Sequence, residues 1–380
     1  MAARIVPLDE VDVALAERWR VLGARAVEPN PFAEPEFVLP AGRWLRDPAP
    51  LGVLVVEQGA DVRLALPVRR VRRYRGLPVR AVATWLHPHC PLGTPLVSPD
   101  DPEDAWDEAL DLLRATAPLG ILGLLGADGE AARTLAAALG RRRAAATELA
   151  RLDRPVVRRR AEPTYLDALS GDRRRGLRRR GRRLAEDLGG DLAYVDHAAP
   201  GADLGAALAR FLAMERDGWK GRDGGALDCR PGHGEFFRAM CHGFASAGRL
   251  RLWALEVAGR PVAYQCCLLA GDTVFEVKTA YDETLRRHAP GVLLALGMID
   301  RFHADGRYGA LDSCTGTDVT VAHELFPDRR AVTDLLLPLP GLLGRLAAPA
   351  LPPAVAAYRR ARRRAAVPQR GLPRPDRPAT

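Results

Sequence analysis

The stretch that decides the fold runs from Arg249 to Asp318 and reads RLRLWALEVAGRPVAYQCCLLAGDTVFEVKTAYDETLRRHAPGVLLALGMIDRFHADGRYGALDSCTGTD. Two apolar runs meet at a turn at Ala258–Arg260, and a third apolar run follows at 273–280. A basic loop then leads through Pro290–Gly291 into an apolar segment. The pattern predicts three strands, a loop, a helix and a further strand at 308–312.

This order of elements resembles the core of an acyl-CoA N-acyltransferase of the GNAT type. The chain also repeats the order, because each half reads as strand, two helices, three strands, helix, strand, helix, strand. The expected fold class is therefore α/β, with two tandem GNAT-like domains, each a mixed central sheet flanked by helices.

Changes in composition suggest where these units begin and end. We expect a degenerate N-terminal GNAT-like domain at 1–153, an arginine-rich helical linker at 154–190, and a C-terminal acyltransferase domain at 191–340. A tail rich in proline and arginine follows at 341–380. It is expected to be partly disordered, with a helix at 351–366.

The net charge of +9 comes almost entirely from arginine, since Lys220 and Lys278 are the only lysines among 56 cationic residues. Together with abundant Ala, Gly, Pro and Leu, this indicates codon bias and weakens the charge as evidence for nucleic-acid binding. We find no apolar run of about 18 residues that would predict a membrane span. The first residues include acids where a signal peptide is apolar. We therefore expect a cytoplasmic protein.

Two loops that precede helices at equivalent points of the halves differ in charge. The loop of the second half contains Arg286, Arg287, His288, Ala289, Pro290 and Gly291. It offers cations and free N–H groups at a helix start, where a pyrophosphate binds well. The loop of the first half, at 98–104, carries four acids, which repel phosphate. We therefore predict that the second half binds the acyl donor, acetyl-CoA or another acyl-CoA.

Short motifs spread over residues 30–335 carry a more specific resemblance. They are Asn30–Phe32, Glu36–Phe37, Leu66–Val68, Met214–Gly221, Gly248–Leu250, Gly259–Ala263, Lys278–Glu283, Ala289–Gly291, Leu311–Cys314 and Phe326–Arg330. In this order they resemble the CelD/BcsL-type (BioF2-like) acyltransferase family, which is related to the FemAB tandem-GNAT transferases. The chain departs from that family at 321–324, where Val-Ala-His-Glu replaces the Tyr-Lys pair of many members.

The resemblance implies direct attack of an acceptor amine on a thioester. This route needs a base for the ammonium, donors for the oxyanion and an acid for the thiolate. Glu215 and Asp312 are the candidate bases, and each also has an interpretation as a structural ion-pair partner. Lys278 would orient the substrate or pair with Glu276. Tyr281 would protonate the thiolate, or would simply end a strand as a hydrogen-bonded tyrosine.

Histidines and cysteines give weaker signals. Two groups lie close in sequence: His87, His89 and Cys90, and Cys229, His233, Cys241 and His242. Neither group has the paired spacing of a structural zinc site, so no metal is predicted. Cys314 has no histidine beside it in sequence, which disfavours a covalent route through its thiol.

The favoured function is an N-acyltransferase that moves an acyl group, most simply acetyl, from acyl-CoA to a small-molecule amine or amino-sugar acceptor. Sugar amines, polyamines, amino acids and peptides are all open as acceptors. The first alternative is a FemAB-like transferase that uses aminoacyl-tRNA, with the arginines of 173–183 along the phosphates. The second is a non-catalytic binder of nucleic acid or a membrane surface on a GNAT scaffold. The basic loop at 286–291 favours the acyl-CoA enzyme, and the oligomeric state is left open.

Overall fold

The structure is a computed structural model that describes residues 1–73, 80–160, 171–316, 320–337 and 353. The helix expected at 351–366 and the tail at 341–380 therefore lie almost entirely outside the described residues. Within the described ranges, no helix combines the length and the apolar character needed to cross a membrane.

The first half alternates strands and helices in the predicted order. Its elements are β1 (Ala2–Pro7), α1 (Val13–Arg25), α2 (Pro35–Trp44), β2 (Leu51–Gln58), β3 (Asp61–Val71), β4 (Ala81–Thr84), β5 (Leu96–Val97), α3 (Pro102–Thr116), β6 (Leu119–Gly126), α4 (Glu130–Arg141) and β7 (Thr147–Arg158). The two-residue strand β5 is an addition to the expected order.

The second half repeats the order behind one long helix, with the four-residue helix α7 as an addition. Its elements are α5 (Gly171–Leu188), β8 (Leu192–Asp196), α6 (Leu204–Asp217), α7 (Trp219–Arg222), α8 (His233–Ser246), β9 (Leu250–Val257), β10 (Arg260–Ala270), β11 (Thr273–Tyr281), α9 (Pro290–Asp305), β12 (Ala310–Asp312), α10 (Thr320–Leu325) and β13 (Asp328–Leu337). Helix α5 lies within the arginine-rich segment and buries Leu177 and Leu184 on one face.

The described strands form one mixed sheet with the order β1-β2-β3-β4-β6-β13-β7-β12-β11-β10-β9-β8, and β5 pairs with β3. Most neighbours are antiparallel, but β4 pairs parallel with β6, and β11 pairs parallel with β12. Each parallel pair brackets the helix that follows its first strand, α3 in one half and α9 in the other. The mixed sheet with repeated element order confirms the predicted fold class.

The two halves exchange their last strands. Strand β13, from the second half, lies between β6 and β7 and pairs with both. Strand β7, from the first half, pairs with β12 through residues 156–158. The predicted division at residue 153 falls inside β7, and the domain boundaries stay a prediction.

Aromatic side chains from both halves share one hydrophobic core beneath α2, α6 and α8. Phe32 meets Phe275 edge-on at 5.7 Å between ring centroids, and Phe37 meets Phe236 edge-on at 5.3 Å. A fully buried phenylalanine contributes about 1.5–3 kcal/mol relative to an exposed one. The shared core therefore fixes the first half against the face of the second half that carries α6 and α8.

Candidate active site at the fork between two strands

Strands β11 and β12 separate after a short ladder and form a fork. They pair only from Thr273 with Ala310 to Phe275 with Asp312, and β11 then continues alone to Tyr281 on that side. Its other edge stays paired with β10. An unpaired strand edge offers N–H and C=O groups to an extended ligand. The fork is therefore suited to an elongated chain that carries amides.

A β-bulge lies inside the fork. Cys266 of β10 faces Lys278, whereas the next residue, Cys267, faces Glu276, so Val277 has no partner on β10. Successive residues of a strand point to opposite faces, and facing residues share a face. The bulge therefore directs Glu276 and Lys278 to opposite faces of the sheet, although they are only two residues apart.

Helix α9 begins at the open end of the fork without a side-chain cap. Its cap residue, Ala289, has a left-handed backbone (φ 52°), and its first turn contains no acid. The N–H groups of Val292 and Leu293 both donate to the Ala289 carbonyl. Pro290 has no N–H, so the Gly291 N–H is the donor left for a ligand.

The three predicted cationic residues before α9 have different surroundings. Arg287 is paired with Asp187 of α5 at 2.6 Å, and the buried His288 lies 2.9 Å from the same carboxylate. Arg286 is exposed and makes no ion pair within the described residues. Of the three, Arg286 is therefore the one available to an anion at the start of α9.

Glu215 of α6 is buried, with 2% exposure. One carboxylate oxygen accepts a hydrogen bond from Lys220 at 3.1 Å, and the other accepts one from the Leu227 N–H at 2.9 Å. The Lys220 ammonium also donates to the Thr279 carbonyl of β11 at 2.6 Å. Glu215 thus ties the 220–227 loop to the fork, and its oxygens are both engaged.

Asp312 ends β12 and is also fully engaged. Its Oδ2 lies 3.0 Å from Arg330 and 3.7 Å from Arg154, which is itself 2% exposed, and its Oδ1 accepts from the Cys314 N–H at 2.8 Å. Arg330 in turn bonds Glu28 of the first half at 2.6 Å. These contacts join three neighbouring strands and favour the ion-pair interpretation of Asp312 over that of a base.

Glu276 was considered in the sequence only as a partner for Lys278. It is the first residue of β11 beyond the ladder with β12, and its side chain is half-buried. Burial and the nearby charge of Asp312 raise the pKa of Glu276 to about 8. A carboxyl group whose pKa lies close to neutral pH is a suitable general base.

Lys278 lies beside a pair of histidines from the two halves. Burial lowers the pKa of Lys278. The charge of Glu215 opposes this shift, and the positive charges of Lys220 and Arg230 lower the pKa further. His89, from the loop after β4, is 2.8 Å from His233 at the start of α8. The first half therefore contributes the side chain of His89 to the surroundings of Lys278.

Tyr281 lies at the far end of β11. A Cβ at Gly291 would lie 3.6 Å from its ring, so the ring covers the start of α9. Burial, with the charge of Glu283, raises its pKa. Strand geometry puts Tyr281 about 13 Å along β11 from Val277. A thioester at the bulge would therefore be remote from its hydroxyl group.

The described residues contain no group of three His, Cys, Asp or Glu side chains arranged to hold a metal ion. Burial, with the charge of Asp312, raises the pKa of the Cys314 thiol well above its usual range. Its thiolate is therefore scarce at neutral pH, which argues against a covalent route through Cys314.

Comparison with known proteins agrees with this geometry. Residues 171–319 match the family model described as an acetyltransferase (GNAT) domain. No curated protein matches the chain. The match covers the fork, Glu276, Lys278 and the start of α9.

Solved structures resemble most of the chain at low sequence identity. FemX aligns with 9% identity over 88% of this chain and 97% of its own, with a TM-score of 0.54. The C-terminal domain of a lysylphosphatidylglycerol synthetase from Agrobacterium fabrum aligns with 12% identity over 87% and 94%, with a TM-score of 0.52. The L-PGS structure from Bacillus licheniformis aligns with 14% identity over 91% and 96%, with a TM-score of 0.50. The second half of this chain thus matches a GNAT acetyltransferase domain, within a fold that extends over both halves.

Proposed function

We propose that the chain is an N-acyltransferase that moves an acyl group from acetyl-CoA or a longer acyl-CoA to an amine of a small molecule or amino sugar. One observation carries the proposal: the uncapped start of α9, with the free Gly291 N–H and Arg286, opens onto the unpaired edge of β11. The pyrophosphate would bind at the helix start. The pantetheine arm would then follow β11 towards the bulge at Val277.

In this proposal the thioester carbonyl lies at the bulge, where backbone N–H groups stabilise the oxyanion. The acceptor nitrogen attacks the carbonyl carbon, and its proton passes to the Glu276 carboxylate. The C–N bond forms, the C–S bond breaks and CoA leaves as a thiolate that takes up a proton. Glu276 thus takes the role first considered for Glu215 and Asp312, whose oxygens are engaged elsewhere. Tyr281 stays a candidate proton donor, although its position beside Gly291 fits a contact with the arm better.

The first test is calorimetric titration of the wild-type protein with acetyl-CoA and longer acyl-CoAs, followed by a thiol-release assay with a panel of amines. We expect saturable binding and amine-dependent release of CoA. Failure of every acyl-CoA to bind or to raise the melting temperature at high excess would overturn the proposal.

A second candidate is the FemAB-like transfer from aminoacyl-tRNA, which α5 supports. Its exposed arginines without a partner among the described residues are Arg178, Arg179, Arg180, Arg182 and Arg183. Such a row suits a phosphate backbone. Salt-dependent tRNA binding that is lost when these arginines are changed to glutamine would favour this function. Membership of the CelD/BcsL-type family and a cytoplasmic location are further parts of the proposal.

A further inference from the structure

Lys278 is a cation without a counter-ion in the part of the chain that the structure describes. Within the described residues its ammonium makes no hydrogen bond or ion pair, whereas Lys220 is held by Glu215 and by the Thr279 carbonyl. Glu215 is the carboxylate whose charge acts on Lys278, but its oxygens already bind Lys220 and the Leu227 N–H. The positive charge of Lys278 is therefore left unbalanced beside the fork.

The neighbours of Lys278 add positive charge and an unused polar atom. Arg230 lies close enough for its charge to act on both Lys278 and His89. His89 is 8% exposed, and its Nδ1 has no hydrogen-bond partner within the described residues. Burial, together with the charge of Lys278, lowers the pKa of His89 to about 2. The imidazole is thus neutral and adds a polar contact without a charge.

We propose that Lys278, Arg230 and His89 bind a carboxylate carried by the acceptor, so that the acceptor is an amino acid or a peptide. The inference rests on the proposed acyl transfer, because Lys278 lies on β11, the strand that would hold the thioester, with its side chain on the face of the sheet opposite to that of Glu276. A carboxylate here would pair with a partly desolvated ammonium, which gives a stronger interaction than the same pair in water. It would also balance the excess of cations left after Glu215 pairs with Lys220.

Because Lys278 makes no hydrogen bond or ion pair within the described residues, its substitution should not destabilise the fold. A partly buried cation without a partner costs stability in the free protein. Lys278→Met removes that charge and keeps a long side chain, so the variant should melt no lower than the wild type. A matched control is Arg238→Gln on α8, which removes a half-buried cation paired with Asp228.

The experiment compares pairs of amines that differ in one charge: an amino acid and its amide, and glucosamine and its 6-phosphate. With acetyl-CoA saturating, we expect the wild type and Arg238→Gln to acylate the amino acid with a kcat/KM about tenfold above that of its amide. We expect Lys278→Met to lose this preference. With CoA bound, the amino acid should raise the melting temperature of the wild type but not of Lys278→Met.

Three results would overturn the inference: equal use of acid and amide, a preference that survives in Lys278→Met, or no carboxylate-dependent shift in melting temperature. A preference for the sugar phosphate over every amino acid would replace the carboxylate by a phosphate and also overturn it. If the wild type fails to bind acetyl-CoA at all, the proposed function fails instead. Titration with acetyl-CoA alone therefore separates the two failures.

Discussion

Asp101 and Ala289 occupy the same position in the two halves. Each precedes a helix with a left-handed backbone, at φ 50° and 52°, and each is followed by a proline. Helix α3 then places two acids in its first turn, whereas α9 places none. The two halves thus share a backbone arrangement and differ in the charge that it presents.

Gly291→Glu should weaken acetyl-CoA binding at least a hundredfold, because a carboxylate would occupy the start of α9 that the pyrophosphate needs. Gly291→Ala is the matched control, since the added Cβ would lie 3.6 Å from Tyr281, an ordinary contact. Calorimetric titration measures both. Equal affinity in the Glu variant would show that the phosphates bind elsewhere.

Glu276→Gln should lower kcat/KM by about a hundredfold or more, the usual range for loss of a general base. The wild-type rate should rise with pH towards a plateau above about 8, because the carboxyl group must ionise before it can accept a proton. The rate of the variant should not show this rise with pH. Measurement from pH 6 to 9.5, with an acceptor whose own ionisation is known, tests the assignment, and a wild-type pH profile in the variant would refute it.

The same substitution should change how stability depends on pH. The pKa of Glu276 is raised from 4.5 to about 8 in the folded chain, so its contribution is fully present below 4.5 and is lost as the pH rises through 8. Glutamine does not titrate, so Glu276→Gln removes this loss of stability with rising pH. The difference between the melting temperature of the variant and that of the wild type should therefore increase by several degrees in favour of the variant from pH 5 to pH 9. If the melting temperatures of the two proteins changed with pH in parallel, this would contradict the raised pKa of Glu276.

Asp312→Asn should destabilise the fold by about 3 kcal/mol or more, because Arg154 and Arg330 would lose their shared carboxylate in a buried setting. Asp305→Asn is the control. It breaks an ion pair with Arg307, whose side chain is 65% exposed, and should cost less than about 1 kcal/mol. Chemical denaturation compares the variants. An Asp312→Asn protein of wild-type stability and greatly reduced turnover would restore Asp312 as a base.

The order of elements was predictable because each strand and helix carries its own apolar period. The contrast between the loops before α3 and α9 was equally visible, since acids and arginines at a helix start act locally. The fork between β11 and β12 could not be predicted from the sequence. It depends on where β12 stops beside β11, and that follows from pairings between distant segments.

Glu276 was missed as a candidate base for the same reason. A glutamate inside the apolar run at 273–280 was a signal, but its raised pKa arises from burial at the fork and from the charge of Asp312. Conversely, Asp312 looked available because Arg154 and Arg330 lie outside its own motif. Charge partners that meet only in the folded chain decide which carboxylate is free.

The exchange of β7 and β13 has a consequence for synthesis of the chain. Strand β6 pairs with β4 within the first half and gains its second neighbour only when β13 arrives, as in the pairing of Leu122 with Leu335. The first half therefore leaves the ribosome with an open central edge and waits for the last strand of the second half before its sheet is complete. Contacts of such long range slow folding and expose strand edges to other chains. A chain cut between the halves would leave each nascent sheet without the strand that closes it.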